Sequence, residues 1–465
     1  MKKFGYLLLM LVVTTSLIGC RINQEEKLIS VNTRNNVEHN PLELSIEQRV
    51  EDFQYLYETM NKLYPYWGEI KDLGKDKEAL YNKYLEEVKK TDSTTAFCNT
   101  VLDYFNALDA YSLGHLSPIM PGAYDYLKAL YEPSQNRQSW YKVLSNPVSS
   151  KLYSACNVNV THQFQLLQED EGEEGKSAKE KQQENHTQQD EATESMLGVM
   201  PLTLKVIEDG TIGYIKVPSF DGLMIEEQVP EIRAFIQAHQ DLDHMIIDIR
   251  GNGGGSDTYW REAFASPNIT EEKYVHSCYL YNEETIENEL SKPFMEEIHP
   301  GLFKEKMGLE QLLEATSLNP NGNSFAYCTY NIQEIKPSSE EVDYKGKFWV
   351  LIDQYNASAS ASFIQFCKEN QFATLVGEPD SGDNCNGDPF LFCLPNSGMI
   401  IRFDLFYGVN IDGSCNAISG CQPDIECLSQ EALQICLENI RKNKEDDSTQ
   451  NKPKKISIRW KNHEN

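Results

Sequence analysis

An α/β core preceded by a mainly helical region is what this sequence predicts, on three observations. The order helix, apolar strand, loop occurs at "IEEQVPEIRAFIQAHQ" followed by "HMIIDIR" and "GNGGGS", and alternation returns as "GKFWVLID", "SASFIQFCKEN" and "ATLVGE". Those strand segments are continuous apolar runs, the pattern of strands buried on both faces of a partly parallel sheet. Upstream, residues 45 to about 150 carry helical rather than alternating periodicity.

Each element has its own signal. "SIEQRVEDFQYLYETMNKLYP" opens with a capping box, Ser45 with Gln48. It then places Ile46, Val50, Phe53, Leu56, Met60 and Leu63 on one stripe, and ends before Pro65. "STTAFCNTVLDYFNALDA" groups Phe97, Val101, Phe105 and Leu108 and runs into "YSLGHLSPIMPG", a turn that presents His115. "LTLKVIEDGTIGYIKVPSF" predicts two strands joined at Asp209-Gly210. Residues 257–340 hold helical and polar segments with no order that the pattern resolves. The division that follows is 1–20 leader, 21–44 polar tether, 45–150 helical domain, 151–202 linker with an acidic insertion, 203–440 core, and 441–465 polar tail.

The leader "MKKFGYLLLMLVVTTSLIGC" has two lysines and an apolar run from about Phe4 to Ile18, too short to span a bilayer comfortably. Gly19 before Cys20, with Leu17 three positions before the cysteine, resembles a bacterial lipobox. The expectation is an exported lipoprotein held to a membrane by lipid at Cys20 alone. A formal charge of −29 over 465 residues repels phosphate backbones and argues against nucleic acid as a partner. Part of that charge is local: Gln168 to Ser195 is almost devoid of apolar residues, a composition expected to remain disordered. Twelve cysteines in an exported chain predict disulfide-stapled loops, especially in the C-terminal part that holds Cys367, Cys385, Cys393, Cys415, Cys421, Cys427 and Cys436. None of these has the spacing of a zinc site, so no metal is expected.

Ligands of open α/β sheets gather beyond the carboxyl ends of the strands, where "GNGGG" (251–255) and "YNASASASFIQF" (355–366) both lie. Ser358, Ser360 and Ser362 stand where a strand hands over to a helix. Each could simply cap that helix, or one could be a nucleophile facing the free amides of the first turn. Successive alternate side chains turn about 200° apart on a helix, so the three cannot face one site. The glycine loop lacks the lysine and hydroxyl of a phosphate cradle. It is a flexible turn, or it brings amides close to a substrate carbonyl. Asp248 and Arg250 before it form a structural ion pair on this reading. His115 is either a surface or core residue with no chemistry or, presented to a cleft by its turn, the base that a serine hydroxyl needs near neutral pH.

Taken together, "GTIGYIKVPSF", "HMIIDIRGNGGGS", "NASASASFI", "LVGEPDSGD" and "GCQPDIEC" resemble, in order and spacing over about residues 203 to 430, the C-terminal processing peptidase and tricorn core family of serine peptidases. The resemblance implies a ClpP/crotonase-like α/β core, peptide or protein substrates, no metal or organic cofactor, and Ser360 as nucleophile, with the amides of Ala361 and Gly254 holding the oxyanion. Asp383 stands where processing peptidases have their lysine, which places the chain in the histidine-using branch through "SLGHLS" and His115. That branch also has a glutamate three residues before the glycine of a G-V-x-P-D-I segment. The matching position is Ala417, which leaves Asn416 or Asp412 as possible orienting groups. The rival readings are a family member without turnover that binds peptides or apolar ligands, and a substrate-binding lipoprotein serving a transporter.

Overall fold

The computed structural model describes residues 43–109, 113–155, 201–208, 210–298, 307–308, 325–339, 342, 344–382, 388–410 and 413–450. The expected leader, its Cys20, the acidic insertion, Asp383, Asp412 and the end of the polar tail lie outside them. Helix α1 (Ile46–Leu63) begins with the capping box that the sequence predicts, Ser45 and Gln48 each receiving the other's amide. It packs with α2 (Trp67–Asp72), α3 (Lys77–Val88) and α4 (Thr94–Leu108) around Phe53, Phe97, Tyr104 and Phe105. The two-residue strand β1 (Ser117–Pro118), α5 (Pro121–Tyr131) and α6 (Gln138–Leu144) follow.

The core is a six-stranded sheet in the order β13-β9-β8-β4-β3-β2. Its members are β2 (Thr203–Ile207), β3 (Ile212–Lys216), β4 (His244–Asp248), β8 (Lys347–Ile352), β9 (Ala373–Gly377) and β13 (Ile425–Glu426). All neighbours are parallel except β2 and β3, the expected hairpin. Because side chains alternate along a strand, Met245 and Ile247 of β4 face one side with helices α7 (Ile225–Ala238), α8 (Asp257–Trp260) and α11 (Ala359–Asn370). Ile246 faces the other, against Cys436 and Ile440 of α13 (Ala432–Gln450). Burial on both faces is why "HMIID" is an unbroken apolar run.

The unordered stretch 257–340 contains α9 (Glu283–Glu287) and α10 (Lys292–Ile298), set among strands of a second sheet in the order β12-β5-β7-β6. Its long antiparallel pair is β5 (Lys273–Tyr281) with β7 (Tyr327–Ile335), flanked by β6 (Met307–Gly308) and β12 (Tyr407–Val409). A third sheet, β1-β11-β10, joins Ser117–Pro118 of the helical region to β11 (Ile400–Phe403) and β10 (Phe390–Cys393). The helices before residue 155 share one hydrophobic cluster with residues of β5, β7, β10, β11 and β12, and they belong to one compact unit.

The cysteines correct an expectation. Among the described residues no disulfide joins Cys98, Cys278, Cys328, Cys367, Cys393, Cys415, Cys421, Cys427 or Cys436, while Cys20, Cys156 and Cys385 lie outside them. Several are small apolar packing groups on helices and strands rather than loop staples, as with Cys367 on α11 and Cys436 on α13. Burial pushes the thiols of Cys278, Cys421 and Cys436 up to about 12. Among the described residues no helix is long and apolar enough to cross a membrane.

Phe363 of α11 packs that helix against α8 and its continuation, its ring 5.6 Å from Trp260, 5.5 Å from Phe264 and 6.0 Å from Phe220. Phe363→Ala is expected to lower stability by about 3–5 kcal/mol in denaturant titration.

Candidate active site

Between β8 and α11 the chain turns through Asp353 to Ser358, and two fully buried asparagines shape that turn. Asn356 donates through Nδ2 to the carbonyls of Ile249 (2.6 Å) and Asn252 (3.1 Å), and its Oδ1 accepts the Asp353 amide (2.8 Å). Asn252 donates to the carbonyl of Val217 (3.1 Å), and its Oδ1 accepts the Gly254 amide (2.8 Å). The Asp353 carboxylate completes the stitching by accepting the amides of Gly251 and Tyr355, each at 3.1 Å. The glycine loop and the serine turn are thus one hydrogen-bonded assembly. Asparagine suits this work because one side chain carries both donors and an acceptor.

The three serines are separated by this assembly. Ser360 is fully buried; its Oγ lies 2.7 Å from the Asn252 carbonyl and 2.9 Å from that of Ala357, and it accepts the Ala357 amide at 2.9 Å. Its one proton is committed to a backbone carbonyl, so this hydroxyl braces the turn. Ser362 is also buried. Ser358 is the least buried of the three, and its side chain makes no hydrogen bond among the described residues. Its backbone has φ +56° and ψ −124°, a conformation disfavoured for a residue with a Cβ. The strain is held from both sides, by the Ser358 amide donating to the Gly382 carbonyl (3.0 Å) and the Ser358 carbonyl accepting from Ser362 (2.9 Å). The geometry therefore moves the expected nucleophile from Ser360 to Ser358.

The oxyanion donors move with it. Ala361 is fully buried and follows the bracing serine. The amide after Ser358 is that of Ala359, the first residue of α11, which has no acceptor among the described residues. The Gly254 amide is occupied by Asn252, so the role assigned to it does not fit this geometry. Gly255 bridges Phe220 through its neighbours, the Gly254 carbonyl and the Ser256 amide, and its own amide has no partner among the described residues. Gly254 matters for its missing side chain: at φ +104° an added Cβ would lie 2.6 Å from the Ala357 carbonyl and 2.9 Å from the Ser358 Cβ.

His115 follows Gly114 in a turn where both residues are left-handed, at φ +63° and +54°. The antiparallel pairing of β1 with β11, Ser117 opposite Arg402, is prolonged by the Asp404 amide donating to the Gly114 carbonyl at 2.8 Å. That register sets His115 beside Asp404, with Nδ1 2.9 Å from Oδ1 and 3.0 Å from Oδ2. The carboxylate is sealed from solvent while the imidazole keeps 12% of its side-chain surface exposed. With Nδ1–H donated to Asp404, Nε2 carries the lone pair. Asp404, in "FDLF" between two strands, has no sequence signal of its own.

The two halves are joined through neighbouring segments. Val409 of β12 bridges Cys415, and the Asn416 carbonyl packs against Gly382, where an added Cβ would come within 2.0 Å. On another side, the Gly222 amide donates to the Tyr126 hydroxyl of α5 (3.2 Å), and Gly222 packs beside Ser256 of the glycine loop. Asn416 donates from Nδ2 to Asn410 (2.9 Å), so it supports the Gly382 segment. Ala417 is buried in α12 (Asn416–Ser419). Asp248 and Arg250 form the structural pair, Oδ2 to Nη2 2.5 Å, with the Tyr214 hydroxyl also donating to Asp248. Burial alone would raise the Asp248 carboxyl; Arg250 and Tyr214 outweigh it and hold it below its ordinary value. Among the described residues no group of His, Cys, Asp and Glu is arranged to hold a metal.

Gly254→Ala is expected to displace Ser358 and slow its covalent labelling by a fluorophosphonate about a hundred-fold while the circular dichroism stays native.

Residues 211–427 match peptidase family S41. No curated protein matches the chain. Among solved structures, a candidate peptidase from Parabacteroides merdae is 16% identical over 84% of this chain and 96% of its own, with a TM-score of 0.48. Mature CPAF in complex with lactacystin is 14% identical over 86% and 98%, at 0.49. A lipoprotein from Streptococcus agalactiae is 10% identical over 85% and 96%, at 0.42. Likenesses this distant carry no argument about chemistry. The matched stretch holds the glycine loop, the serine turn and Asp404, and the family it matches is one of serine-type peptidases.

Proposed function

We propose that this protein hydrolyses peptide bonds of peptides or proteins with Ser358 as nucleophile, His115 as general base and Asp404 as the group that orients it. One observation carries the assignment: of the three serines at the strand-helix junction, the half-buried Ser358 alone combines an unengaged hydroxyl with a strained backbone and a free amide next in sequence. Ser358 Oγ attacks the scissile carbonyl carbon as its proton passes to His115 Nε2. The amides of Ala359 and Gly255 hold the resulting oxyanion. The tetrahedral species collapses, His115 gives the proton to the leaving amine, and an ester to Ser358 remains. Water, deprotonated by His115, attacks the ester; the acid leaves and Ser358 regains its proton. Asp404 keeps the imidazole in one tautomer and stabilises its cation, the function left vacant by alanine at 417.

That carboxylate also bears on the rival reading of a member without turnover. The departures at Asp383 and Ala417 favour it; a histidine already oriented by a buried carboxylate favours catalysis. The leader supports action outside the cytoplasm, on a membrane reached through lipid at Cys20, and Cys20→Ala should then release the protein from membranes in fractionation.

Ser358→Ala is expected to abolish cleavage of an unfolded protein substrate and labelling by a fluorophosphonate. Ser360→Ala is expected to retain the label at residue 358 and to lose about 1–3 kcal/mol of stability. Labelling at 360 in the wild type would overturn the assignment. Asp404→Asn should lower kcat by about a hundred- to ten-thousand-fold with KM little changed.

A further inference from the structure

Asp380 lies one segment behind the serine turn, and nothing in the mechanism above uses it. It is only 5% exposed. One carboxyl oxygen accepts two amides, those of Gly382 and Cys421, both at 2.9 Å. Its own amide points at the Cys421 carbonyl (3.4 Å), and Gly420 is pressed so close that an added Cβ would lie 2.1 Å from the Asp380 carbonyl. From the same segment Ser381 donates twice to the Asn356 carbonyl, from its amide and its hydroxyl, each at 2.8 Å. Gly382 presents the carbonyl that receives the Ser358 amide.

We propose that Asp380 is a positioning residue for Ser358, its carboxyl clamping segment 380–382 to the loop at 420–421 so that the Gly382 carbonyl holds the strained serine in place. The proposal rests on the reading of Ser358 as nucleophile. A conformation such as that of Ser358 persists only where its surroundings over-determine it. Of its two backbone anchors, the Ser362 amide belongs to α11 itself; the Gly382 carbonyl belongs to a loop, and Asp380 fixes that loop.

The second oxygen, Oδ2, is buried and has no hydrogen-bond partner among the described residues. Burial pushes this carboxyl up to about 7, against the pull of its two amide donors. The titratable group facing it is the Cys421 thiol, itself surrounded by Lys368, Asp424 and Glu369. The folded protein therefore holds a proton that the unfolded chain releases near its ordinary 3.8. Stability falls as pH rises from about 4 to about 7 and levels off above it. Asparagine keeps the accepting oxygen and cannot ionise.

The test measures fluorophosphonate labelling of the full chain, with the inactivation rate kinact and the binding constant KI determined separately, for wild type, Asp380→Asn and Asp380→Ala. The expected result is a kinact lower by about a hundred-fold in Asp380→Ala with KI within about twofold, and restoration to within about threefold of wild type in Asp380→Asn. Thermal scans should show the decline in Tm between pH 4 and 7 flattened in Asp380→Asn. Wild type labelled at Ser358 with a folded Asp380→Ala labelled as fast overturns the positioning role alone. Wild type labelled elsewhere overturns the reading of Ser358, and this inference with it. Should Asp380→Ala fail to fold, Asp380→Asn decides, and a folded Asp380→Asn with kinact reduced tenfold or more overturns the proposal.

Discussion

A serine at φ +56° and ψ −124° costs about 1–3 kcal/mol relative to ordinary backbone, and the rest of the site exists to hold it there. The residue is half-buried and its hydroxyl makes no cap to the helix that follows, while the next amide, at Ala359, has no acceptor among the described residues. Each feature of the neighbourhood opposes relaxation. Gly254 has no Cβ to push the turn outward, Asn252 and Asn356 bind both loops, and the Ser360 hydroxyl ties Ala357 to the interior. The parallel sheet supplies the platform, because β4 and β8 are neighbours and end at the same level, one leading into the glycine loop and the other into the serine turn.

The base comes from far away in sequence, and its placement is a problem of packing. Ser117 and Pro118 form too short a strand to stand alone; they persist because β11 pairs with them and because the helices bury one shared cluster with β5, β7, β10, β11 and β12. His115 and Asp404 meet by prolonging that register, so a shift of one residue would turn the carboxylate to the opposite face. A buried carboxylate is costly when isolated. Here the imidazole gives it a donor, and one arrangement serves both the stability of the junction and the tautomer of the base.

The sequence showed the elements and the neighbourhood of the site more clearly than the site itself. The capping box at Ser45 and the apolar runs of β4 and β8 are local signals, read correctly because the physics that makes them is local. The glycine loop and the serine cluster at strand ends followed from the same alternation. Which serine faces the cleft did not, since Ser358 and Ser360 have the same neighbours in sequence and differ in backbone dihedrals and in a bond to the Asn252 carbonyl. Asp404 was invisible because only the β1–β11 register gives it a partner. The long β5–β7 pair was hidden by polar residues on its exposed face, such as His276 and Glu334. The cysteine count misled because burial serves a thiol as well as a bridge does, and the count carries no geometry.

In the proposed mechanism His115 and Ser358 act on one carbonyl. A peptide chloromethyl ketone tests it directly, since its methylene alkylates an imidazole with loss of chloride while its carbonyl is captured by the serine beside it. The structure of the inactivated protein should show one inhibitor bonded to both His115 Nε2 and Ser358 Oγ, with the hemiketal oxygen facing the amides of Ala359 and Gly255. An adduct on His115 with its carbonyl bound to Ser360, or to no serine at all, would contradict the account.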